Sequence, residues 1–264
     1  MSDAAIALTQ ARYAIATALR TRRTLFLTVI FPVVLLVLFN SIFTSSGEQN
    51  TTLANGSKLD IQAYFTAGLL AYAAALSTFT TLAVVITTKR ERGELKRFRG
   101  TPMPAWTFVA GWILRALAQV AVMAVVLLGI GAVAYGVDVP AEHLPGLVIY
   151  LLLGTAAMCA LGIAITAFTP TVDAASTIGP FTVVILSFFS GVWIPVETLS
   201  STLEHLGKLF PLFHLADGLQ TALDPAASGV GLSGDNVFAL LLWTAIGIAV
   251  AARRFLWEPQ AARD

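Results

Sequence analysis

Charge is what this chain has least of. Of its 264 residues only 12% are Asp, Glu, Lys or Arg, while 57% are hydrophobic. A soluble domain is about a quarter charged. This chain has too little polar surface to cover itself in water, and lipid is its natural solvent. Cysteine is nearly absent as well. The one thiol, Cys159, sits inside an apolar run, with no partner for an internal disulfide and no companions for a metal site. The histidines His143, His205 and His214 show no zinc spacing. Neither the P-loop pattern nor a G-x-S-x-G nucleophile elbow occurs. Acidic residues are missing from the middle of the apolar runs, which argues against a proton- or sodium-coupled carrier built on intramembrane carboxylates. An enzyme acting on lipid would need a nucleophile, an acid/base pair or a metal cluster near the interface, and no such constellation stands out. The expectation is a non-enzyme with no catalytic residue, no metal and no cofactor of its own. Gly229-Val230-Gly231-Leu232-Ser233-Gly234 matches G-x-G-x-x-G, but no strand precedes it, and it reads as a flexible loop. Net charge is +1, and no nucleic-acid partner is expected.

What the chain does have is a series of long apolar runs. Six membrane spans are expected at 25–43, 61–88, 105–136, 146–168, 174–195 and 237–256. Each is of a length to cross the hydrocarbon layer, and Pro32 inside the first is tolerated in a membrane helix. Residues 1–23 are not ordered like a signal peptide. Leu8, Ala11, Ile15 and Leu19 recur at helical spacing among Arg12, Arg20, Arg22 and Arg23. They read as an amphipathic interfacial helix, with an ordinary cytoplasmic helix as the alternative. Residues 44–60 read as a polar loop, and its Asn50-Thr51-Thr52 and Asn55-Gly56-Ser57 match the glycosylation pattern by loop polarity alone. The segment 196–236 is too polar to span and too apolar for a free linker. Leu199, Leu203, Leu206 and Leu209 share one helical face there, which suits a short amphipathic helix or re-entrant hairpin at the outer surface. Gly247/Ala251 and Ala132/Gly136 fit small-xxx-small spacing, which permits close helix packing.

With the N-terminus in the cytoplasm, every Lys and Arg faces inward except Lys58, Lys208 and Arg115. The positive-inside rule demands such a bias. Both termini are therefore expected inside, in a bacterial plasma membrane. Arg115 is the one charge within an apolar run, roughly 14 Å into its helix at about 1.5 Å per residue. It either snorkels toward the cytoplasm, pairs with a carboxylate such as Asp173, or faces a polar cavity.

One dense charged stretch interrupts the grease: TTKRERGELKRFRGTPMPAW, residues 87–106. Helical numbering puts Arg90, Glu94 and Arg97 on one face, an ion-pair ladder. Glu91, Leu95 and Phe98 share another, partly apolar face. Gly93 and the pair Pro102/Pro104 break what would be one helix from second span to third. A short helix over 89–103, projecting into the cytoplasm, is expected. A lipid anchor would need only cations. The two glutamates and the Leu/Phe pair suit a protein groove, and a plain positive-inside loop is the alternative.

The string KRERGELKRFRGTPMPAWTFVAGWILRA resembles the cytoplasmic signature of type-2 ABC transporter permeases. The matching residues are Glu91, Gly93, Leu95, Arg97, Thr101 and Pro102. SGVWIPVETLSSTLEHLGKLFPLFHLADGLQ resembles the family's fifth helix and outer re-entrant helices through Ser190, Gly191, Pro195, Leu199, Pro211 and Asp217. A Leu-Pro common there reads Leu199-Ser200 here. In style the chain is similar to the daunorubicin-type drug-resistance exporter branch. Glycan-exporting permeases share the fold. The resemblance implies an all-α integral membrane fold in a single domain, 1–264. It would hold six transmembrane helices, an N-terminal amphipathic interfacial helix, a cytoplasmic coupling helix and short outer re-entrant helices. It implies a coupling helix carrying Arg90, Glu91, Gly93, Glu94, Leu95, Arg97 and Phe98, docked on a separate ATPase subunit. Two copies of that ATPase would bind ATP and Mg beneath two permease chains, identical or paralogous, in the bilayer. It also implies a substrate path along the first, second and fifth spans, where Phe39, Phe43, Tyr64, Phe65, Tyr72, Phe181, Phe188, Phe189 and Trp193 fall. An aromatic lining suits a hydrophobic or amphipathic small molecule, with export of a drug, antibiotic or lipid as the expected activity.

Overall fold

The computed structural model describes residues 22–46, 50–100, 105–198 and 201–255. Most of the expected amphipathic helix at 1–23 lies outside them, as do Thr101, Pro102 and Leu199. The described chain is almost all helix. Helix α1 runs Arg22–Ser46, α2 Ile61–Glu91, α3 Glu94–Arg99, α4 Ala105–Tyr135, α5 Leu144–Ala164, α6 Val172–Phe189, α7 Ser201–Gly207, α8 Pro211–Leu223 and α9 Gly234–Arg254. Five segments are long and apolar enough to cross a membrane: Ile61–Glu91, Thr107–Tyr135, Ala141–Ala167, Val172–Phe189 and Gly234–Arg254. In α1 the stretch Val29–Phe43 is a shorter apolar helix.

Helix α2 is the hub. In its most apolar window 72% of residues are buried, against 22% in α6 and 17% in α9. It packs against α1, α4, α5, α6 and α8. A π-helical turn at Leu76–Thr80 widens it midway, and there α5 packs directly against its backbone. A Cβ on Gly162 would lie 2.6 Å from the carbonyl oxygen of Phe79, so only glycine allows that approach. Helices α5 and α9 form another tight pair, where a Cβ on Gly247 would lie 2.8 Å from that of Ala160. The Gly247/Ala251 spacing thus marks a real seam. Ala132/Gly136 does not: Ala132 is exposed, and Gly136 follows the end of α4 at φ +69°.

Three boundaries differ from expectation. Residues 50–60 form an antiparallel hairpin, β1 (Asn50–Thr52) with β2 (Lys58–Asp60), pairing Thr51 with Leu59. Strands of three residues are too short to show a period of two. The fifth apolar run stops being helical at Phe189, before a turn at Gly191 with φ +67°. The second span continues to Glu91, so Lys89, Arg90 and Glu91 belong to α2 rather than to the short helix after it.

Candidate functional site

The charged stretch folds at one end of the bundle. Helix α2 ends at Glu91, and Gly93 adopts φ +67°, a conformation glycine accepts without steric cost. The chain turns there and α3 begins. Leu95 is buried on Ile86 and Phe108, with Trp112 and Phe255 around them. That apolar contact seats the six-residue helix, which is too short to hold itself. The expected Arg90–Glu94–Arg97 ladder does not form, because the break at Gly93 rotates α3 out of register with α2. Glu94 pairs instead with Lys89 at 2.5 Å. The Lys89 hydrogen bond holds the Glu94 carboxyl below the usual carboxylate range.

Arg90 turns inward, away from α3, while the exposed Glu91 reaches across to the start of α6. Arg90 is 1% exposed. Its Nη1 donates to Thr166 O at 2.7 Å, and its Nη2 to Thr169 O and to Pro170 O at 3.1 Å. Glu91 Oε1 accepts from the backbone N–H of Val172 at 2.8 Å. Glu91 is exposed, but Leu95 is buried, so the two do not share a face. Lys96 and Arg97 are exposed on α3. The side chain of Phe98 lies outside the described residues.

Arg115 lies over the ring of Trp112, 5.0 Å from its centroid. It makes no ion pair with Asp173, which is exposed on the first turn of α6. Helical side chains lean toward the N-terminus of their helix, and here that direction carries Arg115 toward the basic end.

The aromatic residues of the first, second and fifth spans gather in the half of the bundle nearer the hairpin. Phe65 stacks on Phe43 at 4.6 Å and on Phe39 at 5.2 Å, and meets Tyr64 edge-on at 5.6 Å. Trp193 touches Tyr72 at 5.0 Å, Phe39 at 5.5 Å and Phe188 at 6.2 Å. The Tyr64 hydroxyl donates to Gly191 O at 2.6 Å, and Trp193 Nε1 to Ser187 Oγ at 2.5 Å. Seven of the nine expected path residues are thus one packed cluster. Phe181, 65% exposed, and Phe189 take no part in it.

Beside this cluster the sequence reading missed Asn40. It is fully buried in α1, and both polar atoms of its amide lack a partner. Its signal was an amide inside an apolar run. At the hairpin end, His214 Nδ1 meets Asn236 Oδ1 at 2.8 Å, and Asn236 Nδ2 donates to Asp217 Oδ2 at 2.6 Å. This chain ties α8 to α9. Burial pushes the Asp217 carboxyl up, against the Asn236 hydrogen bond and the nearby His214 and Lys208. Asp224 is fully buried and accepts from Ser57 Oγ at 2.6 Å, which fastens the hairpin to the end of α8. Among the described residues no cluster of His, Cys, Asp and Glu could hold a metal ion.

The family model for the ABC-2 type transporter matches residues 7–223. No curated protein matches the chain. The matched region holds α1 to α8, with the short basic helix and the aromatic cluster both inside it. The chain belongs to the ABC-2 type transporter family: it is a multi-pass membrane component of an ABC transporter, a transport subunit that partners with an ABC ATPase and with lipid.

Proposed function

We propose that this chain is the permease of an ATP-driven exporter, moving a hydrophobic or amphipathic small molecule such as a drug, antibiotic or lipid out of the cytoplasm or inner leaflet. It works beside a second permease chain, the same or paralogous. Two cytoplasmic ATPase subunits bind ATP and Mg and drive it. The observation that carries this reading is a short, basic, surface-displayed helix on a chain whose family works with an ATPase. Helix α3 is the docking element. Arg97 and Lys96 present its exposed charge, and Leu95, Glu94 and Gly93 fix its seat. The basic groups of α2, α3 and the last turn of α9 lie at one end, which we place in a bacterial cytoplasm by the positive-inside rule, with both termini on that side.

ATP binding closes the ATPase pair and moves α3, and the spans rock to open a path along α1, α2 and α6. The cluster of Phe39, Phe43, Tyr64, Phe65, Tyr72, Phe188 and Trp193 supports an apolar lining, since separating packed rings would bare faces that an aromatic or alkyl substrate can cover. The test is ATP hydrolysis by the chain reconstituted with its ATPase, challenged separately with ethidium, an anthracycline and a lipid-linked oligosaccharide. Stimulation by the first two is expected. Stimulation by the glycan alone would make this a polysaccharide or lipid-linked glycan exporter. ATP-independent flux driven by a proton gradient would remove the exporter reading altogether.

A further inference from the structure

Two neighbouring residues, Arg90 and Glu91, grip opposite ends of two successive helices. The carbonyls that Arg90 holds, those of Thr166, Thr169 and Pro170, follow the last turn of α5. Helix-end carbonyls lack the donors of a continuing helix and carry partial negative charge. Pro170 has no N–H with which to continue the ladder. A buried guanidinium with a forked donor set satisfies several such oxygens at once. One residue on, Glu91 accepts from Val172, the first residue of α6, whose N-terminus carries partial positive charge. Thr171 caps the same turn by accepting from the N–H of Ala174 at 3.2 Å. Each charge has the sign its helix end favours. The connection between α5 and α6 is thereby fastened to the last turn of α2.

That last turn is also where α3 is seated. The Lys89–Glu94 pair crosses the Gly93 break, and Leu95 packs back onto Ile86 of α2. Helix α3, the end of α2 and the start of α6 are therefore one mechanical body.

We infer that Arg90 and Glu91 form an internal strut that carries displacement of α3 directly to the N-terminus of α6. They are positioning residues rather than contacts to the ATPase. The inference rests on the reading of α3 as the docking element and adds which span receives the push. It also separates two roles within one charged stretch: Lys96 and Arg97 face outward to a partner, while Arg90 and Glu91 bond back to the fold.

The experiment uses the chain in complex with its ATPase, in lipid nanodiscs. Hydrogen exchange is followed by mass spectrometry, with and without ATP and vanadate. Wild type is compared with Glu91→Ala and with Glu91→Gln, whose amide oxygen still accepts from Val172. Arg90→Lys, which keeps the charge but loses the fork, is a further variant should Glu91→Ala assemble poorly. All should recover the ATPase equally. Nucleotide trapping should alter exchange over 170–177 in wild type and Glu91→Gln. In Glu91→Ala the amide of Val172 should exchange about tenfold faster, as for loss of a hydrogen bond to a charged group, and the response to nucleotide should disappear. Rescue by Gln marks transmission, which a general loss of fold would not show. An unchanged nucleotide response in Glu91→Ala overturns the strut. Loss of the ATPase from Glu91→Ala but not from Arg97→Glu overturns it too, by making Glu91 a docking contact. Failure of wild type to recover any ATPase removes the docking reading itself, and the strut with it.

Discussion

Asp217, half-buried, and Arg90, fully buried, are polar side chains served differently by their surroundings. Arg90 has carbonyl acceptors for both terminal nitrogens, and only its Nε is buried without one. Asp217 has one good hydrogen bond, from Asn236, while its Oδ1 is buried without a partner. A carboxyl whose pKa is raised in the folded state binds protons there more readily than in the unfolded chain. Stability is therefore highest below the ordinary Asp range of about 3.9 and falls as pH rises through the folded value. Asp217→Asn removes that charge and keeps an oxygen for Asn236. It should raise the thermal unfolding temperature in detergent at pH 7.5, and the two unfolding temperatures should converge as pH falls toward 4. A variant less stable than wild type at pH 7.5 would show that the ionised carboxylate is welcome there. Neither side chain's environment was legible in the sequence. Arg90 read as one rung of an ion-pair ladder with Glu94 and Arg97, because its acceptors lie on a loop some 76 to 80 residues away. Asn40 passed unremarked because its neighbours in sequence are apolar and its isolation is a three-dimensional fact. Arg115 was half legible: the choice between snorkelling and pairing was visible, and Trp112, three residues before it, was the clue.

At the scale of elements, hydropathy found the helices and missed what lies between them. Long apolar runs need no partner to be recognised, so α2, α4, α5, α6 and α9 each fall on an expected run, though α6 ends at Phe189 rather than 195. Their boundaries shift where a local bond decides them, as at Glu91, which caps α6, and at Gly191, whose carbonyl takes the Tyr64 hydroxyl. The hairpin over 50–60 was invisible for want of a period. The aromatic residues were legible as a set and ambiguous in role, since a span facing lipid and a span packed on its neighbour share the same composition. The structure divides them. Phe65 is fully buried between α1 and its own helix, whereas Phe181 is 65% exposed on α6. Phe65→Ala should therefore cost about 3 kcal/mol of stability, and Phe181→Ala should stay within about 0.5 kcal/mol. Equilibrium unfolding in mixed micelles measures both. Equal losses would mean that α6 is covered by something other than lipid.

For the whole molecule the division of charge is the organising fact. Leu95 of α3, Phe108 of α4 and Phe255 after α9 converge at one end, and the basic last turns of α2 and α9 are there with them. The opposite end holds the hairpin, α7, the half-buried Asp217 of α8 and the buried Asp224 that follows it. Between the ends, α1, α6 and α9 turn many large apolar side chains outward, among them Phe31, Phe188 and Phe238, as a chain in lipid or beside a second permease requires. At the basic end, the proposal is that α3 is where an ATPase takes hold. The measurement that tests it most directly is purification of the tagged chain from native membranes in mild detergent, with partners identified by mass spectrometry. Wild type is run beside a Lys96→Glu, Arg97→Glu double variant that leaves Arg90 and Glu91 in place. A nucleotide-binding subunit is expected with wild type and about tenfold less of it with the variant, while folding and membrane insertion are unchanged. An ATPase held equally by both, or by neither, would contradict it.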